Sequence, residues 1–186
     1  MDLWRVLNWS PSAASSADNG HPLFVWPDQG AGRVDDPDGD YLVLYLGDSP
    51  EGAIAEALGS FPTWSQAILD CPPAAPADSV KALVQNNCEL DILDLDDPYE
   101  LVQRGMRPSQ VVTRSRTVTQ VWARGIYESG DYAGVSWWPY YNPDWASLGL
   151  WALSGLSVVR EPEVLSLDHP ALRDAAYFIK RTVSSA

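Results

Sequence analysis

A chain of 186 residues, 46% apolar and 20% charged, is long enough to bury a core without staples and reads as one domain over 1–186. Its formal net charge of −13 repels phosphate backbones, which argues against nucleic acid as a partner. No apolar run approaches the roughly 20 residues that cross a bilayer. The start, MDLWRVLNW, lacks the basic and apolar stretches of a secretory signal, so no membrane association and a cytoplasmic home are expected.

In chain order, LWRVLNW (3–9) alternates as a first strand would, and PSAASSADNGHP (11–22) is a loop of small residues and turn formers. LFVW (23–26) is a short apolar piece before PDQGAGRVDDPDGD (27–40), a second loop dense in Gly, Pro and Asp. YLVLYLG (41–47) reads as a buried strand. Ser49, Pro50 and Glu51 then supply an N-cap, a proline at the first helical position and an early acid, which predicts a helix from 49 to about 58. TWSQAILD (63–70) reads as a short helix, and the prolines of CPPAAPAD (71–78) make it a connector.

VKALV (80–84) and ELDILDL (89–95) read as a strand pair, DDPYELVQRG (96–105) as a capped helix and TRSRTVTQVWARGIYESG (113–130) as a longer helix stopped by Gly130. GVSWW, SLGLWAL, LSVV and EVLSL add late strands, and HPALRDAAYFIKRTV (169–183) closes with an amphipathic helix. Strands outnumber helices and do not alternate with them. The pattern predicts an α+β fold, a mixed β-sheet core with flanking helices, rather than a doubly wound one.

Few residues here suit metal or disulfide chemistry. Cys71 and Cys88, with only His21 and His169 beside them, fit neither a disulfide framework nor a metal-ligand spacing, so free thiols and no metal are expected. Nine tryptophans, with Trp137 and Trp138 next to Tyr140 and Tyr141, form either a core wall or a stacking surface. Gly47-Asp48-Ser49 resembles the nucleophile block of GDSL-type esterases. No Asp stands three before the late histidine, where Ser166 is found, so Ser49 reads as a helix cap.

Glu56 suits chemistry better. Ala53, Ile54, Ala57 and Leu58 make a buried stripe at helical spacing with Glu56 on its flank, covering the turn that holds Gly52 and Ala53. Arg5 in the first strand and Arg33 in the Gly/Pro/Asp loop have no local helical partners, and a guanidinium suits phosphate oxygens. With Tyr45 they supply anion clamps, an aromatic face and a carboxylate, the set that a nucleotide with a reactive sugar bond requires.

These residues carry a resemblance. Arg5 in LWRVLNW, Arg33 in GRVDDP, and VLYLGDSPEGAIAE with Tyr45 and Glu56 are together similar to the RES-domain family, most specifically over about 32–58. Further on, TVTQVWARGIYESGDYAGVSWW (117–138) is similar to the family's S-x-x-Q-x-x-A helix and the strand after it, with Thr117 at the serine position and Gln120 at the glutamine. Val34 and Asp35 stand where the family usually has Trp and Asn.

The resemblance implies an ADP-ribosyltransferase-like fold and cleavage of NAD, as substrate, between nicotinamide and ribose, with phosphate, water or a protein side chain as acceptor. It implies the toxin half of a bacterial toxin–antitoxin pair with an Xre-type antitoxin partner. Glu56 and Thr117 would be catalytic, and Arg5, Arg33, Tyr45 and Gln120 would hold NAD. A transferase modifying a protein target, and a degenerate protein that only binds nucleotide, are the other readings.

Overall fold

Two long antiparallel strands form the spine of the computed structural model, which describes residues 1–184. β1 (Asp2–Trp9) pairs along its whole length with β4 (Val80–Cys88), from Asp2 opposite Asn87 to Trp9 opposite Val80. On its other edge β1 meets β2 (Leu44–Gly47) at one register pair, Trp4 with Gly47, and the two strands then part. β2 continues the sheet to β7 (Ser147–Leu150), β7 to β6 (Gly134–Trp137), and β6 runs parallel to β5 (Ile92–Asp94). β8 (Leu156–Val158) and β9 (Glu163–Val164) both pair with β4. A separate pair joins β3 (Thr63–Trp64) to β10 (Thr182–Val183) in parallel.

Helices flank this mixed sheet. α1 (Pro50–Leu58) packs on α5 (Pro170–Phe178), burying Ile54, Leu58, Leu172 and Ala175 together with Trp64. Each large side chain so buried contributes roughly 1.5–3 kcal/mol. α2 (Pro98–Gln103), α3 (Pro108–Val111) and α4 (Arg116–Ser129) send Leu101, Val111 and Ile126 into a second cluster with Val34, Val135 and Trp137. The architecture is α+β, as the element order predicts. Among the described residues no helix is long and apolar enough to cross a membrane.

Local chemistry sets the boundaries. The Ser49 hydroxyl accepts from the Gly52 N–H at 3.1 Å and starts α1, while the Trp64 indole donates to the Leu58 carbonyl at its end. Ser49 is therefore a cap. Gly130 closes α4 at φ 72°, the left-handed conformation glycine adopts freely. α4 begins at Arg116 rather than 113, because Ser115 before it is extended.

Four expectations are corrected. Of 41–47, only the last four residues are strand, because the Gln29 amide bonds both the N–H and the carbonyl of Val43 and takes the place of a neighbouring strand. The 63–70 segment is a two-residue strand followed by a 3-10 turn at Gln66–Leu69. β4 and β5 do not pair: β4 lies between β1 and β8, and β5 lies beside β6. The last helix stops at Phe178, and Thr182–Val183 form a strand.

The loop before β2 is tied to α4. Asp36, Asp38 and Asp40 all converge on the Arg124 guanidinium, at 3.0 Å for Asp36 and 3.2 Å for Asp38. Asp36 is buried, while the exposed Asp38 and Asp40 pairs add little stability singly. Their geometric effect is to hold the 30–40 loop against the helix that follows it in space.

Candidate active site

Where β1 and β2 part, a cavity of about 530 Å³ opens between them. Arg5 and Val6 line one bank, Tyr45 and Leu46 the other, and Ala53, Glu56 and Ala57 of α1 form a wall. Gly32, Arg33, Arg114 and Arg116 close one side, and the β6–β7 loop brings Tyr140 and Tyr141 over another. Arg5, Arg33, Tyr45 and Glu56, singled out from the sequence, thus share one cavity.

The α1 wall differs in detail from the helical stripe expected. Ala57 is exposed and lines the cavity with Ala53, one turn before it, instead of entering the core. A side-chain carbon on Gly52 would lie 3.5 Å from Trp145, so the indole covers the shelf expected there. The open ground beside Glu56 is the row of Ala53 and Ala57.

Glu56 opens to the cavity and has no hydrogen bond or ion pair among the described residues. Glu56 is exposed at the cavity, yet the protein crowding its carboxyl raises it above the usual carboxylate range by partial loss of water, while the charges of Arg33 and Arg116 pull it partly back. An acid in this setting is available to a ligand and responsive to charge developing near it.

Both sequence-selected arginines are anchored on one nitrogen. Arg5 Nη1 donates to the carbonyls of Pro22 at 2.8 Å and Phe24 at 2.9 Å, and burial without a carboxylate lowers its guanidinium to about 10. Arg33 Nη1 donates to the carbonyls of Val111 at 2.6 Å and Thr113 at 2.9 Å, and its carbon lies 5.9 Å from the Trp137 ring centre. Burial and the neighbouring Arg116 charge lower Arg33 as well. Neither has an acidic partner among the described residues, so each keeps N–H groups for an anion.

A protein-family model described as RES domain matches residues 2–172. The chain belongs to the RES-domain family. No curated protein sequence matches it. This RES domain is similar in structure to a chain in the crystal structure of the M. tuberculosis MbcT-MbcA toxin-antitoxin complex, at 15% identity and a TM-score of 0.59. The alignment covers 96% of this chain and 88% of that one, and at this identity it shows the shared fold.

Within the RES domain, Tyr45 and Gln120 are parts of one brace. The Tyr45 hydroxyl donates to Asp35 Oδ1 at 2.5 Å and accepts from the Val34 N–H at 3.2 Å, which occupies its polar capacity. Burial and the Asp35 carboxylate both push the phenol far above its ordinary value. Asp35 Oδ2 in turn accepts from the N–H groups of Gly30 at 2.8 Å and Gly32 at 2.6 Å. Gln120 Nε2 donates to the carbonyls of the same two glycines, at 2.9 Å and 3.0 Å. The 30–32 turn is held by its donors and by its acceptors, and a side chain on Gly32 would strike Tyr45 and Asp35. Tyr45 therefore offers the cavity its ring.

That brace makes one expected result local. Tyr45→Phe keeps the ring and removes the O–H from the buried Asp35 carboxylate, so stability falls by about 1.5–3 kcal/mol, the usual range for a hydrogen bond to a charged group. Urea unfolding of the two proteins measures it. An unchanged midpoint would show that water replaces the phenol at Asp35.

Thr117 is not brought into this group. It is the second residue of α4, exposed, and outside the cavity wall, while the nearby buried Thr119 spends its hydroxyl on the Arg116 carbonyl at 3.4 Å. Arg114 and Arg116 also line the cavity, marked in the sequence only by the charge-rich TRSRT run. Tyr140 and Tyr141 belong to the aromatic run at 137–141, whereas Asp35 is one acid among several in its loop. The aromatic run divides: Trp137 is 5% exposed in the core, and Tyr140 is 76% exposed at the cavity rim, 5.1 Å under the Arg114 guanidinium.

Proposed function

We propose that this RES domain cleaves NAD at the bond between nicotinamide and ribose and acts as the toxin of a toxin–antitoxin pair. One observation carries the proposal: an unpaired carboxylate, Glu56, shares a cavity of about 530 Å³ with two guanidiniums, Arg5 and Arg33, that also lack acidic partners. Uncompensated charges of both signs around one space suit a ligand that carries both, and NAD joins a cationic nicotinamide to an anionic pyrophosphate.

The chemistry follows from charge. As the nitrogen–carbon bond breaks, its electron pair goes to the nicotinamide nitrogen and neutralises it, and positive charge builds on the ribose. Glu56 stabilises that oxocarbenium-like sugar by its charge and by accepting from a ribose hydroxyl. Arg5 and Arg33 hold the pyrophosphate, and the Tyr45 ring flanks the nicotinamide ribose. An oxygen of water or inorganic phosphate then bonds the ribose carbon, water losing a proton in the process. Gln120 acts through the 30–32 turn that it supports.

Thr117 enters through the resemblance, supported by its place at the start of the helix whose Gln120 holds the cavity loop. Thr117→Val copies the shape and deletes the hydroxyl, and is expected to slow turnover several-fold while Thr117→Ser retains it. Normal activity per folded molecule in the Val variant would leave Thr117 as a solvent-facing residue. The partner implied by the resemblance is an Xre-type antitoxin, and the similar structure's place in a toxin-antitoxin complex supports that class of partner.

The test is direct. The purified chain is incubated with NAD, with and without phosphate, and the products are identified. Free nicotinamide with ADP-ribose marks water as acceptor, and a phosphorylated ADP-ribose marks phosphate. Intact NAD in both arms would overturn the proposal.

A further inference from the structure

A second cavity of about 210 Å³ adjoins the first, walled by Asn8, Asn19, His21, Phe24 and Trp26. Arg5 and Val6 line both cavities, so these two residues of β1 mark the neck between them. Alone, the second cavity is smaller than the roughly 300–1,000 Å³ of ordinary small-molecule sites. A ligand spanning both would occupy a site within that range.

Resting on the reading of NAD as substrate, we infer that this second cavity takes the adenine end of the dinucleotide, with Arg5 meeting the pyrophosphate at the neck. The aromatic pair is the first ground. Trp26 is 44% exposed although it lines a cavity, and Phe24 holds it edge-on with ring centres 5.9 Å apart. A large ring braced by another and left open to solvent is a stacking platform for a flat base.

The polar groups are the second ground. Asn8 Oδ1 accepts from Lys81 Nζ at 2.5 Å, which leaves its amide N–H groups free as donors. Asn19 Nδ2 donates to the Ala74 carbonyl at 3.1 Å, which leaves its oxygen free as an acceptor. The pair therefore presents amide donors on Asn8 and an acceptor oxygen on Asn19, and the adenine edge carries a ring-nitrogen acceptor beside an amine donor. His21 Nδ1 accepts from the Leu23 N–H at 3.0 Å, so a neutral ring carries its proton on Nε2, a further donor for base or sugar.

The neck is the third ground. Arg5 spends Nη1 on Pro22 and Phe24, and those bonds fix the loop that carries both the aromatic pair and His21. The rest of the guanidinium has no protein acceptor among the described residues. A molecule reaching from Glu56 to Trp26 must pass its linking phosphates beside that charge.

AMP is the probe, since it carries the adenine end and no nicotinamide. Calorimetry and indole fluorescence are expected to show AMP binding to the parent, about 10-fold or more weaker binding to Trp26→Ala, and near-parent binding to Trp26→Phe, which keeps a ring. In turnover, Trp26→Ala should raise the KM for NAD by a similar factor and leave the KM for nicotinamide mononucleotide unchanged. AMP that fails to bind the parent, or binds parent and Trp26→Ala alike, overturns the inference. The two readings fail separately. A parent that binds AMP through Trp26 but releases no nicotinamide keeps the adenine site and loses the reaction. A parent that releases nicotinamide, with the KM for NAD unchanged in Trp26→Ala, keeps the reaction and loses the adenine site.

Discussion

Glu56→Gln is expected to lower NAD turnover by about 100-fold or more while leaving stability at neutral pH close to the parent's. The amide copies the shape of the carboxyl and removes the charge that would face the developing sugar cation. The Glu56 pKa is raised in the folded protein, chiefly by partial loss of water and despite Arg33 and Arg116. A carboxyl whose folded pKa exceeds its unfolded one favours the fold at low pH, and that contribution disappears as pH rises through the folded value. Glu56 is exposed, so solvent screens most of this cost at neutral pH, and Gln leaves stability close to the parent's. The same shift sets a pH dependence: activity should fall on acidification at a pH above the ordinary glutamate range, as the needed carboxylate takes up a proton. Initial rates and urea midpoints for both proteins across pH 4–8 (roughly the span around an ordinary carboxyl) measure all three. Parent-like turnover by the Gln variant would reduce Glu56 to a wall residue.

Much of this arrangement can be read from the sequence where the signal is local. Ser49, Pro50 and Glu51 announce α1 because capping is settled within one turn, and Gly130 announces the end of α4 for the same reason. Strand existence was also readable, but partnership was not. β4 reads as a neighbour of β5 by proximity along the chain, whereas its partner is β1, and nothing local records a pairing between residues about 80 positions apart. The site divides along the same line. Glu56 and Tyr45 are legible because one strand and the helix after it set their spacing. The Asp35 bond to Tyr45 is hidden, since it depends on a loop folding back, and Asp35 alone reads as one more acid in a loop full of them. The neck at Arg5 is hidden for a related reason: its partners are two backbone carbonyls, which carry no side-chain signature.

Arg5→Lys and Arg33→Lys are each expected to weaken dinucleotide binding by about 10-fold or more, the scale of a lost charge-assisted hydrogen bond, and the choice of lysine follows from the anchoring. Alanine would leave the carbonyls of Pro22 and Phe24, or of Val111 and Thr113, without their donor and would loosen a cavity loop, so weaker binding would have two causes. Lysine keeps the charge and part of the stem. It puts its donors on a single nitrogen, which cannot serve two carbonyls at one end and a phosphate at the other as the planar fork can. The buried charge adds a second readout. Burial lowers the Arg5 pKa to about 10, so at neutral pH the side chain is still charged and unpaired, a cost to the fold that an anion beside it would offset. ADP-ribose, which binds only the folded state, should therefore raise the parent's melting temperature, and the rise should shrink in Arg5→Lys. Calorimetric titration with ADP-ribose gives the affinities, and thermal scans with and without it give the shift. Equal affinity in the parent and both lysine variants would end the assignment of these arginines to the pyrophosphate and leave them as loop anchors.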